Sequence, residues 1–148
     1  MNTVIAKVFK IARILAKDHP IVLLSTLGLD AGPRTRYMGA FLIRDSGEIF
    51  LISPSTARKI QEIEKDSHVQ VIFSNQDCHR VLTLTGKAEV VRDNELRRAI
   101  YEEKKGLKIY PVFNDYFGVI RFIPLHAEYL DIDVSNDAVM IPMSGNQQ

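Results

Sequence analysis

The chain has no tryptophan, a single cysteine and no apolar run long enough to span a bilayer. The lone Cys78 excludes an intrachain disulfide framework and fits a reducing cytoplasm. Net charge is nearly absent as well. In 148 residues, 19 Lys and Arg stand against 18 Asp and Glu, a formal +1. That balance supplies no field to draw in nucleic acid or an anionic membrane. At 8% aromatic residues, a stacking platform for single-stranded nucleic acid is also lacking.

Dedicated catalytic motifs are missing too. His19, His68, His79 and His126 are scattered, with none at the paired spacing of metal sites. Cys78 and His79 adjoin, but neighbours in a strand point to opposite faces, so they form no nucleophile–base pair. There is no nucleophile elbow, Walker loop or dinucleotide glycine fingerprint, which leaves an ordinary hydrolase without support.

What is present is the composition of a soluble globular protein, 46% hydrophobic and 25% charged, with length for one domain over residues 1–148. Residues 1–18 carry an amphipathic helix pattern, with Val4, Ile5, Val8, Ile11, Ala12 and Leu15 on one stripe. Without a continuous apolar region or a small-residue cleavage site, it reads as a helix packed on the domain rather than a targeting segment. Asp18-His19-Pro20 ends it.

Strand patterns follow over residues 21–28, 34–44, 48–53, 68–74, 80–91 and 119–132. Gly86 and Pro124 mark bulges or bends in the two long strands. Helices are expected for about three turns after residue 55 and over 93–106, the second capped by Asp93 or Asn94 and ended by Gly106. The tail from 131 to 148 is weakly patterned. Six strands joined mostly by hairpins or short helices predict a mainly β chain with some α, an antiparallel barrel with flanking helices.

The stretch "LISPSTARKIQEIEKD" (51–66) raises a question of charge. Arg58 and Lys59 stand in the first turn of a helix, where the partial positive charge of the N-terminus prefers an acid. Hydroxyls gather there too, with Ser53 or Ser55 expected as the N-cap. A bound phosphate would turn this unfavourable arrangement into a favourable one. The competing explanation is an i,i+4 pair of Arg58 with Glu62, in the weaker orientation with the base N-terminal.

In "RTRYMGAFLI" the period-2 rule puts Arg34, Arg36, Met38, Ala40 and Leu42 on one face. Arginines on an apolar face call for an anionic partner. A hairpin between 34–44 and 48–53 is expected to bring Arg36 to Ser53 and the helix start.

Residues 32–74, "GPRTRYMGAFLIRDSGEIFLISPSTARKIQEIEKDSHVQVIFS", resemble the pyridoxamine 5′-phosphate oxidase-like family of FMN-binding split barrels, in particular its short general-stress-protein branch. The resemblance implies a six-stranded antiparallel split β-barrel that forms a homodimer with FMN at the interface. By position, it assigns the FMN phosphate to Arg36, Arg58 and Lys59. The backbone around Tyr37 and Met38 would border the flavin ring, and Ile52 and Ser53 would touch the cofactor from the next strand.

Phe41 and Val81 stand where the true oxidases carry Lys and Gln, and their Trp-containing substrate segment is missing. The resemblance thus implies a small FMN-dependent oxidoreductase rather than oxidation of pyridoxamine phosphate. The alternatives are a non-catalytic flavin-binding or stress-related protein, or a split barrel holding haem or a deazaflavin.

Overall fold

The computed structural model describes residues 3–143; residues 1, 2 and 144–148, at the ends of the predicted helix and tail, lie outside that range. The elements are α1 (Thr3–Asp18), β1 (Val22–Leu27), β2 (Pro33–Met38), β3 (Phe41–Ile43), β4 (Ile49–Pro54) and α2 (Arg58–Lys65). They continue with β5 (His68–Ser74), β6 (Arg80–Val90), α3 (Asn94–Glu103), β7 (Phe117–Asp131) and β8 (Val139–Pro142).

All pairings are antiparallel, in the order β2-β1-β5-β6-β7-β4-β3, with β8 on β7. The two end strands, β2 and β3, are joined by Gly39 and Ala40 alone. Met38 and Phe41 are therefore within about 11 Å of each other, whereas a flat path of seven strands would separate its edges by roughly 29 Å. The sheet has to curl on itself, and the result is the mainly β, split-barrel architecture expected.

The strand count differs from expectation. Among the described residues the sheet has eight strands rather than six. Residues 34–44 do not form one strand: β2 pairs with β1, and only Phe41–Ile43 of β3 pairs with β4. The break changes parity. Met38, Phe41 and Ile43 face the main core, while Ala40 and Leu42 face the second one, so the five residues assigned to one face are divided. In the tail, β8 pairs with His126–Tyr129, on the edge of β7 that β4 leaves free beyond Phe122.

The main core packs α1 through Val8, Phe9, Ala12 and Leu15 against inward residues of the sheet, among them Leu24 and Phe122. Helix α1 lies on the protein as its stripe predicts. A second core lies between α3 and the other face of β4 and β7, around Phe50, Ile52 and Phe117. Strand β4 is covered on both faces, which is why Ile49, Phe50, Leu51 and Ile52 are all apolar rather than alternating.

Gly86 sits at the expected bulge, where the register shifts opposite Pro124. A Cβ at Gly86 would lie 2.1 Å from the Ile123 carbonyl oxygen, so only glycine lets the strands approach. Tyr101 of α3, with Tyr110 and Phe113 of the loop before β7, gathers on Phe117, the ring centroids 5.3, 5.2 and 6.1 Å away. Each such pair contributes about 0.5–1.5 kcal/mol beyond area burial.

Candidate functional site

Strand β1 alternates inward with Val22, Leu24 and Thr26, opposite Met38, Arg36 and Arg34 of β2. The inner face thus passes from apolar to polar toward one end of the barrel. Helix α2 closes that end with Ile60, Glu62 and Ile63 buried. Loop 28–32 is tied to it by Lys65, whose Nζ donates to the Leu29 carbonyl at 2.9 Å.

Glu62 is the centre of this end, with 0% of its side chain exposed. Its Oε1 accepts from Thr26 Oγ1 at 2.6 Å and from a terminal nitrogen of Arg36 at 2.8 Å. Arg36 also donates to Thr26 Oγ1 at 2.8 Å and to the Leu24 carbonyl at 3.3 Å. Around Oε2 stand Arg58 Nε at 3.3 Å and Arg34 Nε at 3.6 Å, as ion contacts without a hydrogen bond. The Arg58–Glu62 pair does form, then, but as one arm of a buried cluster rather than as a weak pair on the helix surface.

Lys59 joins from the other side, donating from Nζ to Ser53 Oγ at 3.0 Å. Burial first, and then the neighbouring Arg36 charge, lower the Lys59 pKa below its ordinary 10.5, with Glu62 partly opposing them. The exposed Asp30 is 3.8 Å from Arg34, its carboxyl held below its ordinary value mainly by the Gly32 N–H and then by Arg34. Four cations (Arg34, Arg36, Arg58, Lys59) thus face two carboxylates, a surplus of two positive charges at one barrel end.

The structure brings Arg36, Ser53, Arg58 and Lys59 together. It does so for a different reason from the one expected. Arg36 reaches α2 across β1, because β2 pairs with β1 and not with β4. The helix start is also corrected. Helix α2 has eight residues, and its N-cap is Ala57, without a side-chain cap.

Ser53, next to last in β4, is a buried acceptor for Lys59, and the Ser55 N–H donates to the Tyr116 carbonyl at 2.9 Å. Neither serine caps the helix, because Gly118 draws this segment against β7. A Cβ at Gly118 would be 2.4 Å from the Ser53 carbonyl oxygen. The cradle is therefore made of side chains, with several backbone groups at the helix start already bonded to carbonyls.

The side chains of Tyr37, Met38 and Ile52 lie apart from the cluster. Met38 is buried in the main core and Ile52 in the second. Tyr37 points to the outer face, 75% exposed, where it lines a cavity of about 430 Å³ with Ile21, Leu23 and Ile72. The reading of the sequence did not assign Thr26 or Arg34 to the site and gave Glu62 too small a part. The available signal was Glu62 one turn after Arg58, on the same side of a helix whose apolar seam is short. Among the described residues, no group of three or more His, Cys, Asp or Glu is placed to hold a metal. None of the described helices is long and apolar enough to cross a membrane.

A phosphate monoester fits the residues present. Its two negative charges match the surplus, and Arg58 and Lys59 keep unused N–H donors. Residues 7–110 match the sequence model of the family described as "Pyridoxamine 5′-phosphate oxidase like". In three dimensions the chain is similar to a Clostridium acetobutylicum protein related to general stress protein 26, of the pyridoxinephosphate oxidase family. The TM-score is 0.77 at 17% identity, covering 93% of this chain and 96% of that one.

A Nostoc punctiforme FMN-binding protein related to pyridoxamine 5′-phosphate oxidase gives a TM-score of 0.69 at 13% identity, over 94% and 88% of the two chains. A haem-binding protein from Mycobacterium smegmatis gives 0.71 at 17% identity, over 91% of this chain and 57% of that one. Among curated protein sequences nothing matches this chain significantly.

Proposed function

The chain belongs to the pyridoxamine 5′-phosphate oxidase-like family, and on that premise we propose that it is an FMN-binding flavoprotein, a small cytoplasmic oxidoreductase. The observation that carries this reading is the cluster of Arg36, Arg58 and Lys59 with Arg34 about one buried carboxylate. A surplus of partly desolvated cations is unfavourable alone and is relieved by a ligand with two negative charges. In this reading Arg58 and Lys59 bind the phosphate directly, while Arg36 fixes the inner wall of the site. The flavin, when bound, supplies the redox chemistry, and the chain supplies position and exclusion of water.

The same proposal includes a homodimer with the cofactor at its interface. The outer face of β2, β1 and β5 supports it, with Tyr37, Leu23 and Ile72 side by side in register and uncharged. Such a face suits a second copy better than solvent.

Titration of the purified protein with FMN and with riboflavin tests the reading. FMN is expected to bind with quenching of its fluorescence and far more tightly than riboflavin, which lacks the phosphate. Equal affinity for the two overturns the phosphate assignment, and binding of haem without FMN replaces it. Bleaching of the bound flavin by NADH or NADPH separates an oxidoreductase from a passive flavin binder.

A further inference from the structure

We propose that Glu62 is the resident counter-ion of the phosphate site, a specificity-determining carboxylate that competes with the ligand's phosphate for Arg58 and Arg34. The proposal rests on the reading that Arg58 and Lys59 receive that phosphate, with Arg36 as the inner wall of the site.

Three observations lead to it. Glutamate is almost never fully buried unless paired, and Glu62 at 0% exposure has more partners than one charge requires. The two oxygens are also unequal. Oε1 is anchored by short bonds from Thr26 and Arg36, at 2.6 and 2.8 Å. Oε2 has only the longer contacts to Arg58 and Arg34, at 3.3 and 3.6 Å.

The third observation is that Arg58 is more than half exposed, at 54%, and is thus able to turn from Oε2 toward an incoming anion. The anchored half of the carboxylate holds Arg36 in place. The other half occupies Arg58 and Arg34 while the site holds no ligand.

Competition of this kind sets a charge threshold. A neutral ligand gains nothing by displacing Oε2, and a singly charged one exchanges like for like. A phosphate monoester brings close to two charges and wins the exchange. Glu62 therefore lowers absolute affinity for anions and raises the preference for the more highly charged one.

The test is Glu62→Gln, which keeps an oxygen acceptor for Thr26 and Arg36 and puts a neutral amide NH2 in the place of the charged Oε2. With the like charge gone from beneath the phosphate, FMN is expected to bind about tenfold more tightly, roughly 1.4 kcal/mol. Riboflavin should change less than twofold. Inorganic phosphate, compared with chloride at equal ionic strength, should raise the melting temperature of the variant more than that of the wild type.

Unchanged or weaker FMN binding overturns the proposal, because a merely structural carboxylate gives that result. If the variant is unfolded in chloride, folding induced by phosphate supports the proposal, and a chain that stays unfolded in phosphate overturns it. Should the wild type bind no FMN, the flavin reading fails, while the inorganic phosphate comparison still decides the role of Glu62.

Discussion

Two buried charges, Glu62 under α2 and Arg97 in α3, are handled in opposite ways. Arg97 is 8% exposed and meets neutral acceptors close at hand. It donates to Asn94 Oδ1 at 2.7 Å, the Asn114 carbonyl at 2.9 Å and the Phe117 carbonyl at 2.6 Å, and lies over the Phe113 ring at 5.0 Å. These partners tie α3 and the preceding loop to the start of β7.

Glu62 instead meets three guanidinium groups, more charge than it can balance, and leaves one oxygen without a hydrogen bond. A buried charge with complete, neutral, local partners is part of the scaffold. One surrounded by surplus opposite charge, with a partner arginine half open to solvent, belongs to a site that expects a further ion.

The largest expected effect tests the scaffold side of this contrast. Arg97→Ala leaves two carbonyls and an amide without their charged donor, and should cost about 3 kcal/mol of stability. That is a fall in melting temperature of roughly 10 °C, measured by thermal denaturation. The ratio of FMN to riboflavin affinity should stay at the wild-type value, and a change in that ratio would break the distinction.

Arg58→Ala should do the reverse. FMN binding is expected to weaken by about 10- to 100-fold, the loss of one or two charge-assisted hydrogen bonds, with riboflavin nearly unchanged in the same fluorescence titration. The melting temperature should move little, since the side chain is half exposed and its pairing is worth little to the fold.

The smallest effect is in pH dependence. The Lys59 ammonium is lowered below 10.5 in the folded protein by burial and by Arg36, so while protonated it destabilises the fold. That penalty is removed as pH rises through the lowered value, and stability increases up to the unfolded value of 10.5. A bound phosphate pulls the pKa back up. FMN binding should then take up a proton in this alkaline window and weaken as pH rises through it. Lys59→Arg keeps its charge there and should flatten the profile; an unflattened profile would assign the titration to another group.

Much of this was legible in the residues because it is written locally. The α1 stripe, the alternation of β6 and the Gly86 bulge depend on neighbours two to four positions away. So does the Arg58-Lys59 pair at a helix start, which signalled unsatisfied charge before any tertiary contact was known. The break at Gly39 and Ala40 was not legible, because either residue can continue a strand pattern. The tail strand β8 was missed for a related reason. Val139–Pro142 alternates weakly and is exposed in part, and it forms because β7 offers a free edge.

The sequence by itself determined α1, α3 and the longer strands, the near-neutral overall charge and the presence of four cations in two short segments. Only the tertiary structure decided how those cations meet. A two-residue link between the outermost strands requires the sheet to curl, and α2 then closes the end of the barrel over Arg34 and Arg36. Glu62 looks like an ordinary surface acid in the sequence. It becomes the buried centre of the site because that closure removes its water and leaves guanidinium groups as its neighbours.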